Sequence, residues 1–466
     1  MNSYHHQRTN LMKLFRLLIS ILLTFVILIG FTPSALAFCG FYVAKADSKL
    51  YNKASQIVIA RKDNRTLLTM ANDYQGNVKD FAMVVPVPTV LEEEQVQVGK
   101  PKIIERLDAF SAPRLVEYFD EDPCAPVMYD RALESAAPPP APAPQARKRS
   151  NRDLGVTVEA QFNVGEYDIV ILSAKESRGL ERWLRGNGYK IPRGAKRLLN
   201  PYIRQKMKFF VAKVNLEKFD ENGYQKLRPL QISYESNKFM LPIRLGMVNS
   251  TSEQDLIAYI LSPKGQAELI NYRTAKIPSN MNIPVYVKQE FGDFYKSMFQ
   301  TSYTKEDKKV AFLEYAWDMS NCDPCSADPL SREELKDAGV FWLDNNPNEI
   351  APPGFPSRRP PSSNVFITRL HVRYTRDKFP EDLMFQETSN RKNFQGRYVL
   401  QHPYTGKTNC KAGRQYKKSL RKRFEKEAQT LARLTNWNIQ DIRQKMKLEE
   451  QASGSFWQGI LSWFGM

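Results

Sequence analysis

Cys322-Asp323-Pro324-Cys325 is the sharpest local constellation in this 466-residue chain. It follows a strand-like run and precedes the helix-like Ser331-Arg332-Glu333-Glu334-Leu335-Lys336, the order of a thioredoxin-type redox site. Such sites place the first thiol at a helix N-terminus, whose dipole lowers its pKa. Here Ser326-Ala327-Asp328-Pro329-Leu330 separates the second cysteine from the helix cap expected at Ser331. The dipole falls off within about one turn, and Asp323 and Asp328 further disfavour a thiolate. The spacing therefore favours a structural disulfide; a thiol-disulfide oxidoreductase using Cys322 and Cys325 is the alternative. Cys39, Cys124 and Cys410 complete the disulfide candidates, and five cysteines allow fifteen ways of making two bridges with one thiol left over.

Other reaction centres are poorly supported. Zinc-thiolate sites show a second closely spaced pair, which the chain lacks. His371 and His402 stand far apart, outside any HExxH pattern, and read as structural or surface residues, so no metal or cofactor is expected. A Ser-His-Asp triad would have to recruit one of them, and no G-x-S-x-G elbow is present. Gly406-Lys407-Thr408 ends like a phosphate-binding loop, but Gln401 occupies the position that needs glycine.

The strongest binding feature is positive charge. Arg414 to Leu434 and Asn438 to Leu448 are expected to form a basic helical hairpin, with Leu420, Phe424, Ala428, Leu431 and Leu434 along one face. Asn438 is the expected N-cap of the second helix. Lys417, Lys418, Arg421, Lys422, Arg423 and Lys426 would suit an anionic surface. The turn at Thr435-Asn436-Trp437 imitates a helix-turn-helix, but the leader described next argues against a nucleic-acid role. An envelope protein or an anionic surface polymer is the expected partner. The tail Phe456-Trp457, Ile460-Leu461, Trp463-Phe464 is too short to span a bilayer. It suits packing on its own domain or peripheral membrane contact through 456–464.

Compartment is read from the N-terminus. Arg8, Lys13 and Arg16 precede an apolar run from Leu17 to Phe31, and Ala35-Leu36-Ala37 closes it with the small-x-small pattern of a signal-peptidase site. The expectation is a signal peptide over 1–37, cleaved near Ala37, and a periplasmic or secreted mature chain. The alternative is an uncleaved leader acting as a membrane anchor. A lipid anchor on Cys39 would want a small residue where Phe38 stands. The formal net charge is +18, falling to +15 once Arg8, Lys13 and Arg16 leave, which suits anionic partners. An oxidising compartment would pair the cysteines.

The elements that must position these residues are mostly strands. Gln56–Ala60, Thr66–Met70 and Phe81–Pro88 are short runs rich in β-branched residues, separated by Asp63-Asn64 and Gln75-Gly76-Asn77. Ile103–Phe110 and Arg114–Phe119 read as short helices. Val156–Phe162, Tyr167–Ser173, Phe209–Leu216, Leu230–Tyr234, Phe239–Met247, Leu256–Leu261, Val310–Trp317, Val365–Tyr374 and Arg397–Leu400 read as strands. Leu180–Leu184 and Glu290–Phe299 have helical spacing. Residues 135–150 and 348–361 are Pro-rich and extended. The fold class is α+β, mainly antiparallel sheets with a C-terminal basic helical hairpin. Its divisions are a β-rich module over 38–410, the hairpin over 411–450 and an apolar tail over 451–466.

Several stretches together resemble a known family. They are Phe38-Cys39-Gly40-Phe41-Tyr42-Val43-Ala44-Lys45-Ala46-Asp47, Phe81-Ala82-Met83-Val84-Val85-Pro86-Val87-Pro88 and Ser111-Ala112-Pro113-Arg114-Leu115-Val116-Glu117-Tyr118. Gly179-Leu180-Glu181-Arg182-Trp183-Leu184 with Gly188-Tyr189, Trp317-Asp318 leading into Cys322-Asp323-Pro324-Cys325, and Phe379-Pro380-Glu381-Asp382-Leu383 complete them. In this order the chain resembles the exported bacterial family catalogued as domain of unknown function 2330, from about Phe38 to Met446. The resemblance implies one continuous module, with the Pro/Ala-rich stretch at 135–150 as an insertion. It implies no activity and carries over no catalytic residue.

Overall fold

β-branched and aromatic runs separated by polar turns pair here into two large sheets whose apolar faces must cover one another. A computed structural model of the chain describes residues 41–44, 51–75, 81–125, 156–189, 195–215, 218, 227–248, 253–321, 323, 327–345 and 364–446. The leader, Cys39, Cys322, Cys325, the Pro-rich stretches at 135–150 and 348–361 and the tail at 451–466 lie outside these residues.

The larger sheet runs in the order β14 (Arg273–Lys276), β16 (Val310–Asp318), β17 (Phe366–Tyr374), β12 (Gln254–Ser262), β2 (Tyr51–Lys62), β3 (Arg65–Gln75), β10 (Leu230–Glu235), β5 (Val96–Val98), with β19 (Phe394–Gln395) also on β16. Its pairings are antiparallel except β2 with β12 and β14 with β16. The second sheet is antiparallel throughout: β1 (Phe41–Ala44), β4 (Phe81–Val87), β9 (Lys208–Val214), β8 (Tyr167–Ala174), β7 (Val156–Val164). The two sheets share the main core, in which Ile57, Leu68, Leu256 and Leu370 of one meet Met83, Ile169, Phe210 and Val214 of the other. Period-2 alternation leaves each sheet a second apolar face. Helices α2 (Ser177–Gly186) and α3 (Ala195–Arg204) cover that of the five-stranded sheet. Helices α1 (Pro101–Ser111) and α5 (Arg332–Asp337) cover that of the larger sheet. The result is an α+β sandwich of four layers.

Two small sheets sit at its edges. β11 (Met240–Leu241), β18 (Leu383–Glu387) and β13 (Ala267–Leu269) form one, and β15 (Met281–Ile283), β20 (Arg397–His402) and β6 (Arg114–Phe119) the other. The latter packs with α4 (Phe291–Lys305) and the C-terminal hairpin around Tyr303, Phe294, Tyr398 and Leu431. That hairpin is α6 (Lys411–Thr435) followed by α7 (439–446). Asn436, in the left-handed region at φ 61°, ends α6. Asn438 caps α7 by accepting from the Gln440 amide, as its position predicts.

Two element expectations are corrected. Arg114–Phe119 is a strand, not a helix: Pro113 disfavours helical backbone before it, and each residue pairs in parallel with β20 from Arg397 to His402. Phe239–Met247 is a strand only at Met240–Leu241; Pro242 cannot donate to a ladder, and Arg244–Val248 winds into a 3₁₀ turn. Helix α3, unforeseen, contains Pro201, a residue that normally argues against a helix interior.

Candidate functional site

Two charged features stand out, one buried in the larger sheet and one exposed on α6. The buried one begins with the alternation of β17, which places Arg369, His371 and Arg373 on a single face. Their cross-strand partners on β12 are Tyr259, Ile257 and Asp255. On the other side, β16 carries a bulge between Leu313 and Tyr315. The extra residue is Glu314, which turns onto the same face as His371 and Arg369.

Glu314 is 1% exposed. One of its oxygens accepts from Arg369 Nε at 2.6 Å, and the other meets His371 Nδ1 at 2.8 Å and the Tyr295 hydroxyl. Across the ring, His371 Nε2 lies 3.2 Å from Asp255, whose carboxylate takes Arg373 in two bonds of 2.7 Å each. Arg369 Nη1 reaches Asp108 of α1 at 2.6 Å and Tyr259 at 3.2 Å. Phe299 of α4 stacks on His371 with centroids 3.9 Å apart, sealing the cluster.

Burial alone would raise the Glu314 pKa, but the charges of His371 and Arg369 and the bonds to His371 and Tyr295 hold it down at about 2. Asp255 behaves alike: burial opposes its charge, and His371 and Arg373 bring it to about 2. His371 is likewise penalised by burial, yet Glu314 and Asp255 raise its pKa. A ring with a carboxylate on each nitrogen is an imidazolium clamp, not a poised base. His402 is also engaged, through Glu117 at 2.8 Å. Among the described residues neither histidine contacts a serine hydroxyl, and no cluster of three or more His, Cys, Asp or Glu could hold a metal.

Of the cysteine candidates, Cys124 and Cys410 are joined, with Cα atoms 6.0 Å apart and a sequence separation of 286. Cys410 is also the N-cap of α6, its sulfur accepting from the Gly413 amide. The bridge therefore pins the start of α6 to the turn after β6. A second clasp follows, where Asp120 accepts from Gln401 Nε2 and Arg423 Nη1, both at 2.6 Å, and from the Tyr416 hydroxyl. Burial opposes ionisation of Asp120, and these three donors lower its pKa. In Cys410→Ser, amides of 411–420 should exchange faster by mass spectrometry while those of β12 and β17 keep their protection. Uniform protection would show that the Asp120 clasp suffices. Cys39, Cys322 and Cys325 lie outside the described residues, although Asp323 is buried and accepts from Tyr315 and Gln395 at 2.9 and 2.7 Å.

The remaining sequence candidates are on α6. Lys417, Lys418, Arg421 and Lys422 are exposed, and with Arg414 they recur at i, i+3, i+4, i+7 and i+8, one stripe along the helix. No carboxylate of a described residue pairs with these four. Arg423 points the other way, into the Asp120 clasp, and leaves the stripe. The buried network is not legible as a site in the sequence, because charged residues default to a solvated face. Its one sequence signal is Arg369-Leu370-His371-Val372-Arg373, three cations at period 2 in an apolar strand.

A family model, described as an uncharacterized protein conserved in bacteria (DUF2330), matches residues 33–386. The chain belongs to that family. No curated protein and no solved structure matches it. The family match ends at 386, short of the Met446 reach expected from the sequence. It spans the five-stranded sheet, the larger sheet except β19, and every residue of the Glu314 network, while β19, β20, α6 and α7 follow it.

Proposed function

We propose that this protein is an exported, non-catalytic binding module of the bacterial envelope that holds a polyanionic partner on the exposed stripe of α6. The observation that carries the reading is that Lys417, Lys418, Arg421 and Lys422 have no carboxylate partner among the described residues. The first turn of α6 contains no acidic residue and carries Lys411 and Arg414, which oppose the helix dipole there. The pairs 414/418, 417/421 and 418/422 are like charges at i,i+4, each costing roughly 0.2–0.5 kcal/mol. Some cations elsewhere are matched, as in Arg106–Glu334, Arg391–Asp318 and Lys445–Glu290. A local cost with no compensation inside the fold suits a surface selected for a partner. The Cys124–Cys410 bridge supports a periplasmic or secreted location, since such bonds persist in oxidising compartments. The carboxylate-bound state of both His371 and His402 supports binding rather than hydrolysis.

The test is charge reversal at Lys417, Lys418, Arg421 and Lys422 to Glu, followed by binding to immobilised polyphosphate. Affinity should drop at least about tenfold at low salt, and the wild type should lose affinity as salt screens the contact. The thermal midpoint should hold, because the four positions are exposed and the reversal only exchanges one set of like-charge pairs at 417/421 and 418/422 for another while relieving 414/418. Retention of affinity within twofold in the reversed variant would remove the reading.

A further inference from the structure

A pocket of about 220 Å³ opens where the main core reaches the surface, and no described residue of α6 lines it. Its walls come from both large sheets. Leu68 of β3, Val87 of β4 and Ile232 and Tyr234 of β10 belong to the core of the sandwich. Met207, just before β9, and Pro242, just after β11, close the sides. Gln205, Asn237 and Lys238 are exposed and therefore form the mouth. Lys238 is the only charged residue among the described ones that line the space. Its Nζ donates to Gln205 Oε1 at 2.9 Å, joining the turn after β10 to the one before β9. An ammonium carries three donors, so two remain for a ligand.

A second cation lies behind the mouth. Arg61 alternates with Ile57 and Ile59 on the core-facing side of β2 and is itself buried. It donates to Thr66 Oγ1 at 2.6 Å and to the carbonyl of Ser236 at 2.9 Å, which holds that part of the lining in place. Burial lowers its pKa, against the charges of Glu387, Tyr234 and Asp63, and an anion at the mouth would offset part of that penalty.

We propose that this pocket binds a small apolar carboxylate, with its chain against Leu68, Ile232 and Met207 and its headgroup at Lys238. Apolar walls with a few polar groups that fix orientation are the usual make-up of a small-molecule site. A neutral ligand would gain the walls but nothing from Lys238, and a cationic one would be repelled by Lys238 and Arg61. The volume corresponds to about seven water-sized groups at ~30 Å³ each, the bulk of a carboxylate of about six to eight carbons.

The experiment is titration calorimetry of the intact protein with butyrate, hexanoate, octanoate and decanoate, and with 1-hexanol. Hexanoate should bind about tenfold more tightly than butyrate, the gain expected from burying two methylenes, and the gain should stop by decanoate. Lys238→Ala, at an exposed position that tolerates the change, should weaken hexanoate about fivefold or more and leave 1-hexanol unchanged. Met240→Trp adds bulk at a half-buried lining position and should weaken both about tenfold or more while the thermal midpoint holds. Equal hexanoate affinity in wild type and Lys238→Ala overturns the headgroup assignment. A gain that continues undiminished to decanoate, hexanoate binding that survives Met240→Trp, or no saturable binding by the wild type overturns the pocket as the site.

Discussion

Glu314→Gln should lower the stability of the fold by about 3–5 kcal/mol, the range for removing one partner of a buried ion pair. The substitution keeps the shape and the Tyr295 contact while deleting the charge that faces Arg369 and His371. Arg369 would retain Asp108, whose side chain is 44% exposed, as its one carboxylate partner among the described residues, and its charge would be poorly compensated in the interior. Tyr295→Phe removes one donor from the same carboxylate and should cost only about 1 kcal/mol. Glu314 and Asp255, with lowered pKa values, contribute stability above their ordinary 4.5 and 3.8 that is lost as pH falls toward about 2. His371 has the opposite sign: its contribution is complete below its ordinary 6.5 and is lost as pH rises through its raised folded value. In Glu314→Gln the His371 ring should therefore titrate at lower pH, which side-chain NMR of the imidazole reports. A cost under about 1 kcal/mol, with an unmoved His371 titration, would mean that the clamp is not a structural anchor.

What could be read in advance divides by range. Strands such as Gln56–Ala60 and Val310–Trp317 are local patterns, and so is the α6 stripe, whose period of 3.6 is visible in the residues themselves. Arg114–Phe119 was misread because Leu115, Val116, Tyr118 and Phe119 fit either period, and only β20, almost three hundred residues away, decides for a strand. The same holds for chemistry. Arg369, His371 and Arg373 come from one strand, but Asp108, Asp255 and Glu314 arrive from α1, β12 and β16, so only the folded sheet brings them together. The partner of Cys410 was undetermined among five cysteines because it depends on where the turn after β6 meets the cap of α6. Local periodicity thus exposes the proposed binding surface, while long-range pairing hides the charges that tie α1 and α4 to the larger sheet.

Glu427→Gln should stabilise the protein at pH 8 and leave it unchanged at pH 4.5. Glu427 lies on the buried face of α6 with its side chain 3% exposed. Its only ion-pair partner among the described residues, Arg423, is 3.5 Å away and already committed to Asp120 at 2.6 Å. One Glu427 oxygen and Arg423 Nε both lack hydrogen-bond partners among the described residues. Burial therefore raises the Glu427 pKa to about 7, with Asp120 adding to the effect and Arg423 opposing it. A carboxyl raised from its ordinary 4.5 stabilises the fold in its neutral form. The contribution is complete below 4.5, declines as pH rises, and above about 7 becomes a standing cost on the order of 3 kcal/mol. Glutamine has nearly the same shape without the charge, so the two unfolding midpoints should coincide at pH 4.5 and diverge in favour of Glu427→Gln through neutrality. Parallel midpoints across that range would show that water or a counter-charge already satisfies the carboxylate. Divergence would mean that the base of the cationic helix is least firmly seated at alkaline pH. Binding through Lys417, Lys418, Arg421 and Lys422 should then weaken above pH 7 in the wild type and stay level in Glu427→Gln.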